Sequence, residues 1–218
     1  MKVVKAEEAI SFVNDGDSIM IGGFLTVGTP ETLIDELIKQ NKKNLTIICN
    51  DTSFEDKGIG RLIFHKLAKK VITSHIGTNK ETQRQYIEKE LEVELVPQGT
   101  LIEQIRAGGV GLGGILTPTG IGTVVENGKQ IIEIDNKKYI LEKAIKGKVA
   151  LVKAKRSDHL GNLQFEFTAR NFNPIIAMAA ELVIVEVDEI VPAGTFGPDD
   201  VHLPGALVDY VVIRRNEK

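Results

Sequence analysis

The sequence predicts an α/β fold, in which an open, mostly parallel sheet is flanked by helices and carries a small β-hairpin extension. Short apolar runs, such as Ser18 to Ile21 and Leu45 to Cys49, alternate with segments of helical periodicity. This alternation is typical of parallel sheets wrapped by helices. Because no repeat, linker or composition shift divides the 218 residues, we expect a single domain over residues 1–218.

The N-terminal part of the chain predicts two helices and two strands in alternation. Lys5 to Val13 has an apolar face at helical spacing, and Ser18 to Ile21 follows as a buried strand. Thr29 and Pro30 suit the N-cap and the first position of a second helix. The apolar stripe of that helix consists of Leu33, Ile34, Leu37 and Ile38. Leu45 to Cys49 is the second strand.

The rest of the chain continues this alternation. We expect helices at 59–68, 81–89, 99–107 and 174–180, and strands at 70–74, 93–96, 148–153 and 182–186. The glycine-rich segment Gly108 to Gly122 shows no period and is interpreted as a long loop. Gln130 to Ile134 and Lys138 to Leu141 alternate around a turn dipeptide, which predicts a hairpin outside the parallel sheet.

Composition and charge exclude several classes of function. The formal net charge of −3 leaves no basic footprint for nucleic acid, and no apolar run approaches the length of a membrane-spanning helix. The single cysteine, Cys49, is predicted to be a small core residue, and the four histidines are scattered without metal-ligand spacing. With a charged N-terminus unlike a signal peptide, we expect a cytoplasmic protein.

The segment from Ile19 to Leu37 combines a strand, a glycine-rich turn and a capped helix. Backbone N–H groups in such a turn, together with a helix N-terminus, can receive an anion. The spacing Gly-Gly-x-x-x-x-Gly from Gly22 to Gly28 matches neither the dinucleotide fingerprint nor a P-loop. From these residues alone, a ligand site and a tight connecting turn are equally good interpretations.

A longer pattern is more specific. Asp15-Gly16-x-x-Ile19-Met20-Ile21-Gly22-Gly23-Phe24-x-x-x-Gly28-x-Pro30 resembles the signature of the A (alpha) subunit of family I CoA-transferases, which act on 3-oxoacids or on acetate, butyrate and acetoacetate. Further blocks resemble that family in the same order through most of the chain. They are Asn50-Asp51-Thr52, His75-Ile76-Gly77-Thr78-Asn79, Pro97-Gln98-Gly99-Thr100-Leu101, Ile105-Arg106-Ala107-Gly108-Gly109, Thr117-Pro118-Thr119-Gly120 and Ala169-Arg170-Asn171-Phe172-Asn173-Pro174.

The resemblance implies an isomerase-like CoA-transferase fold and one subunit of a heteromeric enzyme. Such an enzyme moves CoA between a short-chain acyl-CoA and a carboxylic acid by a ping-pong mechanism. Its nucleophile is a glutamate within a Ser-Glu-Asn-Gly motif of a B subunit, and the subunits assemble as α2β2 or larger. CoA thioesters are substrates, and no permanently bound cofactor, metal, nucleic acid or membrane is implied.

The resemblance also implies roles for individual residues. Asn50 and Gln98 would contact the thioester carbonyl and stabilise an oxyanion. Without the family, Asn50 would be interpreted as a strand-end cap and Gln98 as a turn or helix-capping residue. The predicted contacts with CoA or its acyl group are Gly22, Gly23, Phe24, Leu25, Thr26, Val27 and Gly28. Possible further pocket residues are Asp51, His75, Gly77 and Gly109.

Several carboxylates compete for the role of nucleophile. Glu126-Asn127-Gly128 lacks the preceding serine of the B-subunit motif, and Asn-Gly is itself a turn dipeptide, which favours a surface turn. Glu186, Asp188 and Glu189 close a predicted strand and are interpreted as solvated residues at the sheet edge.

Two other functions stay open at this point. A single-chain sugar-phosphate isomerase would bind a phosphate monoester at the glycine loop and would need a local acid/base pair, which the sequence does not offer convincingly. An acyl-CoA-binding regulatory module would need an adaptor or DNA-binding motif, and the sequence shows neither.

Overall fold

The computed structural model describes residues 2–215, which form twelve strands and six α-helices. The strands are β1 (Lys2–Val3), β2 (Ser18–Ile21), β3 (Leu45–Ile48), β4 (Ala68–Thr73), β5 (Glu92–Leu95), β6 (Gly114–Thr117), β7 (Ile131–Ile134), β8 (Lys137–Lys143), β9 (Gly147–Asp158), β10 (Leu163–Gln164), β11 (Ala180–Val191) and β12 (Tyr210–Ile213). The helices are α1 (Ala6–Ser11), α2 (Glu31–Lys39), α3 (Gly60–Phe64), α4 (Lys80–Ile87), α5 (Gln98–Gly109) and α6 (Asn173–Met178). None of them, within residues 2–215, is long and apolar enough to cross a bilayer.

The main sheet confirms the predicted α/β fold. Its strand order is β1-β12-β11-β9-β2-β3-β4-β5, and each neighbouring pair in that order is parallel. The short strand β10 joins β9 in the antiparallel sense. Parallel strands need helical crossovers, so the helices cover both faces of the sheet.

The core is divided by the sheet into two layers, and strand β2 shows how. Ile19 and Ile21 point to the layer that α1, α2 and α3 cover, whereas Met20 between them points to the layer under α5 and α6. Side chains alternate across a strand, so a strand buried on both faces is apolar at every position. This explains why the buried strands can be recognised as continuous apolar runs.

A small antiparallel sheet in the order β6-β8-β7 stands apart from the main sheet. Strands β7 and β8 confirm the predicted hairpin. The expectation of one long loop from Gly108 to Gly122 was wrong, because α5 continues to Gly109 and β6 pairs with β8. A side chain at Gly114 would lie 2.4 Å from the carbonyl oxygen of Glu142. Glycine therefore permits this strand pairing while hiding its periodicity.

Other elements differ in length from the sequence prediction. The helix expected over 59–68 is only Gly60–Phe64, because Lys66 adopts a φ of 53° and Ala68 already pairs with Leu45. Strands β9 and β11 each extend to 12 residues, far beyond the apolar runs that predicted them. They pair with each other along almost their whole length, so charged positions outside the apolar runs are held in strand conformation as well.

Candidate active site

The residues that the sequence analysis singled out lie at the carboxyl ends of the central parallel strands. The glycine loop, residues 22–28, follows β2, and Asn50 and Asp51 follow β3. Gln98 is the first residue of α5, two positions beyond the buried Val96 after β5. Because the strands are parallel, their carboxyl ends share one edge, where ligands bind in open α/β sheets.

The glycine loop folds back on itself as a tight turn. The backbone N–H of Phe24 donates to the carbonyl of Val27 at 3.0 Å, and the N–H of Val27 donates to the carbonyl of Phe24 at 2.9 Å. Leu25, inside this turn, has a φ of 55°. The turn leaves the side chains of Phe24 and Val27 48% and 47% exposed at the tip. These two apolar side chains are therefore free to contact a ligand.

A second segment, residues 167–173, holds the glycine loop from the other side. The Asn171 side chain accepts from the N–H of Gly23 at 3.2 Å and donates to the carbonyl of Val27 at 3.0 Å. The buried Asn173 side chain donates to the carbonyl of Gly28 at 2.9 Å and accepts from the N–H of Lys153 at 2.9 Å. The two asparagines therefore fix the loop to β9 and to the start of α6.

The close approach of this segment requires glycine at two positions of the loop. A Cβ at Gly22 would lie 1.8 Å from Oδ1 of Asn173. At Gly28 the φ is 77°, and a Cβ would lie 2.8 Å from the carbonyl oxygen of Ala169. Both contacts are far inside van der Waals distance, so these glycines let two backbones pass next to each other.

Asp51, Asn50 and Gln98 form a continuous chain of hydrogen bonds. Asn50 Nδ2 donates to Asp51 Oδ2 at 2.7 Å, and Gln98 Nε2 donates to Asn50 Oδ1 at 2.5 Å. Asp51 also accepts from the backbone N–H of Leu25 at 2.9 Å, which links the chain to the glycine loop. Asn50 and Asp51 are only 1% and 3% exposed, whereas Gln98 is exposed.

A cavity of about 690 Å³ opens between the glycine loop, α5 and the side chains of Asn50 and Gln98, here called the amide pair. Its lining consists of Phe24, Val27, Asn50, Gln98, Gly99, Ile102, Thr168, Asn171 and Phe172. The lining combines apolar side chains with neutral polar groups, and none of the nine residues is charged. Such a cavity suits an uncharged acyl group with a polar carbonyl.

Sequence reasoning missed several of these lining residues. Ile102 lies one turn into α5, and Thr168, Asn171 and Phe172 belong to the segment that holds the glycine loop. The sequence identifies that segment only as a family block from Ala169 to Pro174, without roles for its members. The pair of asparagines two residues apart was the available signal.

Other predicted pocket residues lie outside this lining. His75 and Gly77 are exposed on the loop after β4, where His75 pairs with Asp51 through a backbone bridge. Thr26 lies on the opposite side of the glycine loop, in a smaller cleft of about 280 Å³. Gly109 lies at the contact between α5 and α6, where a Cβ would come within 2.8 Å of Met178. Gly109 therefore serves helix packing.

The helix N-terminus after the glycine loop does not line the cavity, which favours the second of the two interpretations left open by the sequence for this helix end. The backbone N–H groups of Thr32 and Leu33 donate to Oε2 of Glu186 at 2.8 and 3.3 Å. Helix α2 begins at Glu31 with Pro30 as N-cap, and Thr29 makes no capping hydrogen bond. The group that accepts from this N-terminus is thus a side chain of the protein itself, supplied from β11.

The expectation that Glu186 is solvated at a sheet edge was therefore wrong. Strand β11 lies between β9 and β12, and Glu186 is 0% exposed, opposite Lys153 of β9, which is 9% exposed. Asp188 and Glu189 are partly exposed. Asp188 forms an ion pair with Lys153, and Glu189 forms one with Arg156. Glu186 is buried where its side chain meets the N-terminus of α2, a contact between residues more than 150 positions apart.

Burial raises the pKa of Glu186 from 4.5 to about 7, against the opposing influence of Lys153 and of the N–H groups of Leu33 and Thr32. Between these two values the folded chain binds a proton that the unfolded chain releases. The free energy of unfolding should therefore fall as pH rises through this window, by up to about 3 kcal/mol. In Glu186→Gln this dependence should disappear, whereas the exposed control Glu189→Gln should keep it. Urea unfolding at pH 5 and pH 7.5 measures how the free energy of unfolding changes with pH. If Glu186→Gln kept the same pH dependence as the unchanged chain, the assignment to Glu186 would be contradicted.

The other reactive or charged residues considered above lie away from the cavity, in the core or in surface contacts. Cys49 is fully buried, and burial raises the pKa of its thiol, which confirms a core residue. Glu126 lies in a 3-10 turn and accepts from the N–H of Gly122 at 2.8 Å, away from the cavity. Arg106, which belongs to one of the family blocks, pairs with Glu103 on the surface of α5. Among residues 2–215, no three His, Cys, Asp or Glu side chains come together in a way that could hold a metal ion.

Comparison with known sequences places these features in a family. The sequence model described as coenzyme A transferase matches residues 3–214. The alpha subunit of the acetate CoA-transferase of Escherichia coli strain K12 is 51% identical over 217 residues, covering 100% of this chain and 99% of that protein. The acetoacetyl-CoA:acetate/butyrate CoA transferase alpha subunit of Clostridium acetobutylicum is 49% identical over 211 residues, covering 97% of each.

A solved structure shows the same fold. The acyl-CoA transferase YdiF from Escherichia coli O157:H7, in a thioester complex with CoA, superimposes with a TM-score of 0.88 at 26% identity. The match covers 100% of this chain and 48% of the YdiF chain, so this chain spans about half of that polypeptide.

Proposed function

Since the chain belongs to the coenzyme A transferase family, we propose that it is the component of a heteromeric transferase that binds acyl-CoA for a nucleophile on another chain. Its substrates are then CoA thioesters and free carboxylic acids, and no permanently bound cofactor takes part. One observation carries this division of roles. The cavity wall offers three neutral amides, Asn50, Gln98 and Asn171, and no carboxylate that could attack a thioester.

The proposed reaction is a ping-pong exchange. A glutamate carboxylate oxygen of the partner attacks the thioester carbonyl carbon, the C–S bond breaks, and CoA leaves as a thiolate. The thiolate sulfur then attacks the glutamyl carbonyl of the mixed anhydride, which releases the first acid and leaves CoA bound to the enzyme as a thioester. A second carboxylate runs the same steps in reverse. Each step exchanges one acyl bond for another, so no net proton, electron or ATP is consumed.

This chain contributes positioning and charge stabilisation to that exchange. Each tetrahedral intermediate places negative charge on the former carbonyl oxygen, and an amide N–H aimed at this oxygen stabilises it without adding a charge of its own. Gln98 is exposed at the cavity and has an N–H that the bond to Asn50 leaves uncommitted. Asn50 lies directly behind it. Phe24 and Val27, at the tip of the glycine loop, would cover the acyl group and exclude water.

The carboxylates of this chain near the cavity are otherwise engaged. Asp51 accepts three hydrogen bonds from within the fold, and Glu186 closes the N-terminus of α2. We propose that the attacking glutamate comes from a B subunit with a Ser-Glu-Asn-Gly motif, in an α2β2 or larger assembly located in the cytoplasm. The relatives are named as alpha subunits, which implies a second type of chain.

We propose that the acyl group held in this cavity is short, as the names of the acetate and acetoacetate relatives suggest, and that it carries no second charge. The apolar part of the cavity wall consists of Phe24, Val27, Ile102 and Phe172. The lining contains no cation that could pair with a second, distal carboxylate of the acyl group. Acetate, butyrate and acetoacetate are therefore the proposed acids. These acids differ by one or a few heavy atoms, and one methylene in an apolar pocket is worth only about 1–3 kcal/mol. A panel of acids assayed with the reconstituted complex measures this preference.

A single-chain sugar-phosphate isomerase is not favoured by the structure. A phosphate monoester at the glycine loop would use the N-terminus of α2, which the Glu186 carboxylate fills. The cavity lining also offers no general acid/base pair, since all nine of its residues are neutral and none is histidine.

Activity should depend on the partner. The purified chain should show no CoA transfer, and co-expression with a B subunit should bring kcat to the usual range for enzymes, about 1–10³ s⁻¹. Borohydride or hydroxylamine trapping after incubation with acyl-CoA, followed by mass spectrometry, should find the modified glutamate on the B subunit. Glu126→Gln is the matched control on this chain and should leave kcat unchanged. Transfer by the isolated chain, or CoA bound covalently to one of its own side chains, would contradict the proposal.

A further inference from the structure

Asp51 is a buried carboxylate whose hydrogen bonds all come from neutral N–H groups. Its Oδ1 accepts from the backbone of Ser53 at 2.8 Å, and its Oδ2 accepts from the backbone of Leu25 at 2.9 Å and from Asn50 Nδ2 at 2.7 Å. The residue is 3% exposed and does not line the cavity. It therefore cannot contact a substrate directly in this arrangement, and its influence must pass through its neighbours.

The chemistry of the three side chains fixes the direction of the hydrogen-bond chain. An ionised carboxylate only accepts hydrogen bonds, whereas an amide group can present either its oxygen or its NH₂. Next to Asp51, Asn50 must turn its NH₂ toward the carboxylate, which leaves its oxygen toward Gln98. Gln98 must in turn present its NH₂ to Asn50 Oδ1, at 2.5 Å. The Ser74 hydroxyl donates to the backbone carbonyl of Asn50 at 2.7 Å and lies 3.5 Å from Asn50 Oδ1, so it does not fix the orientation of the Asn50 amide. Without the carboxylate, both amides could therefore be reversed.

From this geometry we infer that Asp51 is a positioning residue, which sets the orientation of the Asn50 and Gln98 amides so that N–H donors face the reacting carbonyl. Asp51 has this role only within the transferase function proposed above. In the reversed orientation Gln98 would place an acceptor oxygen where the oxyanion forms. The resulting repulsion would raise the barrier to the chemical step and would affect substrate binding much less.

The same carboxylate ties the amides to the glycine loop. Leu25, whose N–H donates to Asp51, lies between Phe24 and Thr26 at the turn that covers the cavity. A side chain shared by the loop and the amides keeps the acyl-binding surface and the oxyanion donors at a fixed separation. A displacement of about 1 Å between such groups can cost about 10²-fold in rate.

The test compares Asp51→Asn in two backgrounds, in the complete complex with the B subunit. Asparagine keeps the shape of Asp51, but its own NH₂ group can donate a hydrogen bond, so it no longer forces Asn50 to be the donor. In the natural background kcat should fall at least about tenfold, while KM for acyl-CoA changes by less than about threefold. In an Asn50→Ala background, where the chain of hydrogen bonds to the amides is already broken and only the contact with Leu25 remains to be lost, the same change should lower kcat by a clearly smaller factor. Equal losses in both backgrounds, or no loss in the natural one, would overturn the inference.

A control and a second readout separate this role from simple stabilisation. Thr73→Val removes a hydroxyl that donates to the backbone carbonyl of Asn50, and it should leave kcat within about threefold. In complexes with ¹⁵N-labelled asparagine and glutamine side chains in this chain, the amide signals of Asn50 and Gln98 should shift in Asp51→Asn and not in Thr73→Val. These spectra need no activity, so they test Asp51 even if the complex catalyses another reaction. Unchanged amide signals in Asp51→Asn would refute the positioning role.

Discussion

Replacing Asn50 with alanine is expected to lower kcat by about 10²- to 10³-fold, the usual effect of losing one oxyanion donor. The change removes the Asn50 N–H and also the oxygen that accepts from Gln98 at 2.5 Å. Gln98 would then be free to rotate, so both amides of the pair lose their orientation. The measurement is steady-state transfer between acetoacetyl-CoA and acetate by the reconstituted complex.

A matched substitution tests whether the loss belongs to the active site. Asn127→Ala changes the same residue type at an exposed position next to the hairpin, away from the cavity lining. Its kcat should stay within about twofold of the unchanged chain, as surface substitutions usually have small effects. If Asn50→Ala also stayed within this range, the role of the amide pair in charge stabilisation would be refuted.

Gly22→Ala is expected to destabilise the chain by about 2–3 kcal/mol and to lower kcat/KM by about 10²-fold. The added methyl group would lie 1.8 Å from Oδ1 of Asn173, which is fully buried and cannot turn away. Asn173 is held there by Lys153 and Gly28, so the glycine loop itself would have to move. Thermal or urea unfolding measures the stability, and transfer by the complex measures the activity.

Gly113→Ala provides the matched control for this steric argument. Neither Gly22 nor Gly113 requires a positive φ, but a Cβ at Gly113 has no atom within 4 Å. The two substitutions therefore cost similar amounts in backbone conformation and differ in the space around the new methyl group. Gly113→Ala should keep normal stability and activity. Equal behaviour of both variants would show that the contact with Asn173 does not constrain the loop.

Much of the main sheet was predictable because its strands are buried on both faces. Such strands are apolar at consecutive positions, as in Ser18–Ile21 and Leu45–Ile48, and turn residues end them. The hairpin of β7 and β8 was predictable for a local reason, the Asp135-Asn136 turn, whose two residues adopt φ values of 49° and 58°. Strand β12 was missed, and it gains its strand conformation by pairing with β11 and β1.

The candidate site divides in the same way. The glycine loop, Asn50 and Gln98 could be named from sequence because the family resemblance lies in short contiguous blocks. Asn171 and Asn173 could not be assigned roles, since their partners Gly23, Val27 and Gly28 lie more than 140 positions away. No local pattern records a hydrogen bond over that separation.

By itself the sequence determined the α/β class, the family, the position of the glycine loop and the absence of a nucleophile motif like that of the B subunit. Only the tertiary structure decided that Glu186 fills the N-terminus of α2 and that Asp51 holds the Asn50 amide and the loop together. The physical reason is that burial and hydrogen-bond partners of a charged side chain depend on which distant elements pack over it. A carboxylate at a strand end has the same sequence signature whether it is solvated or enclosed.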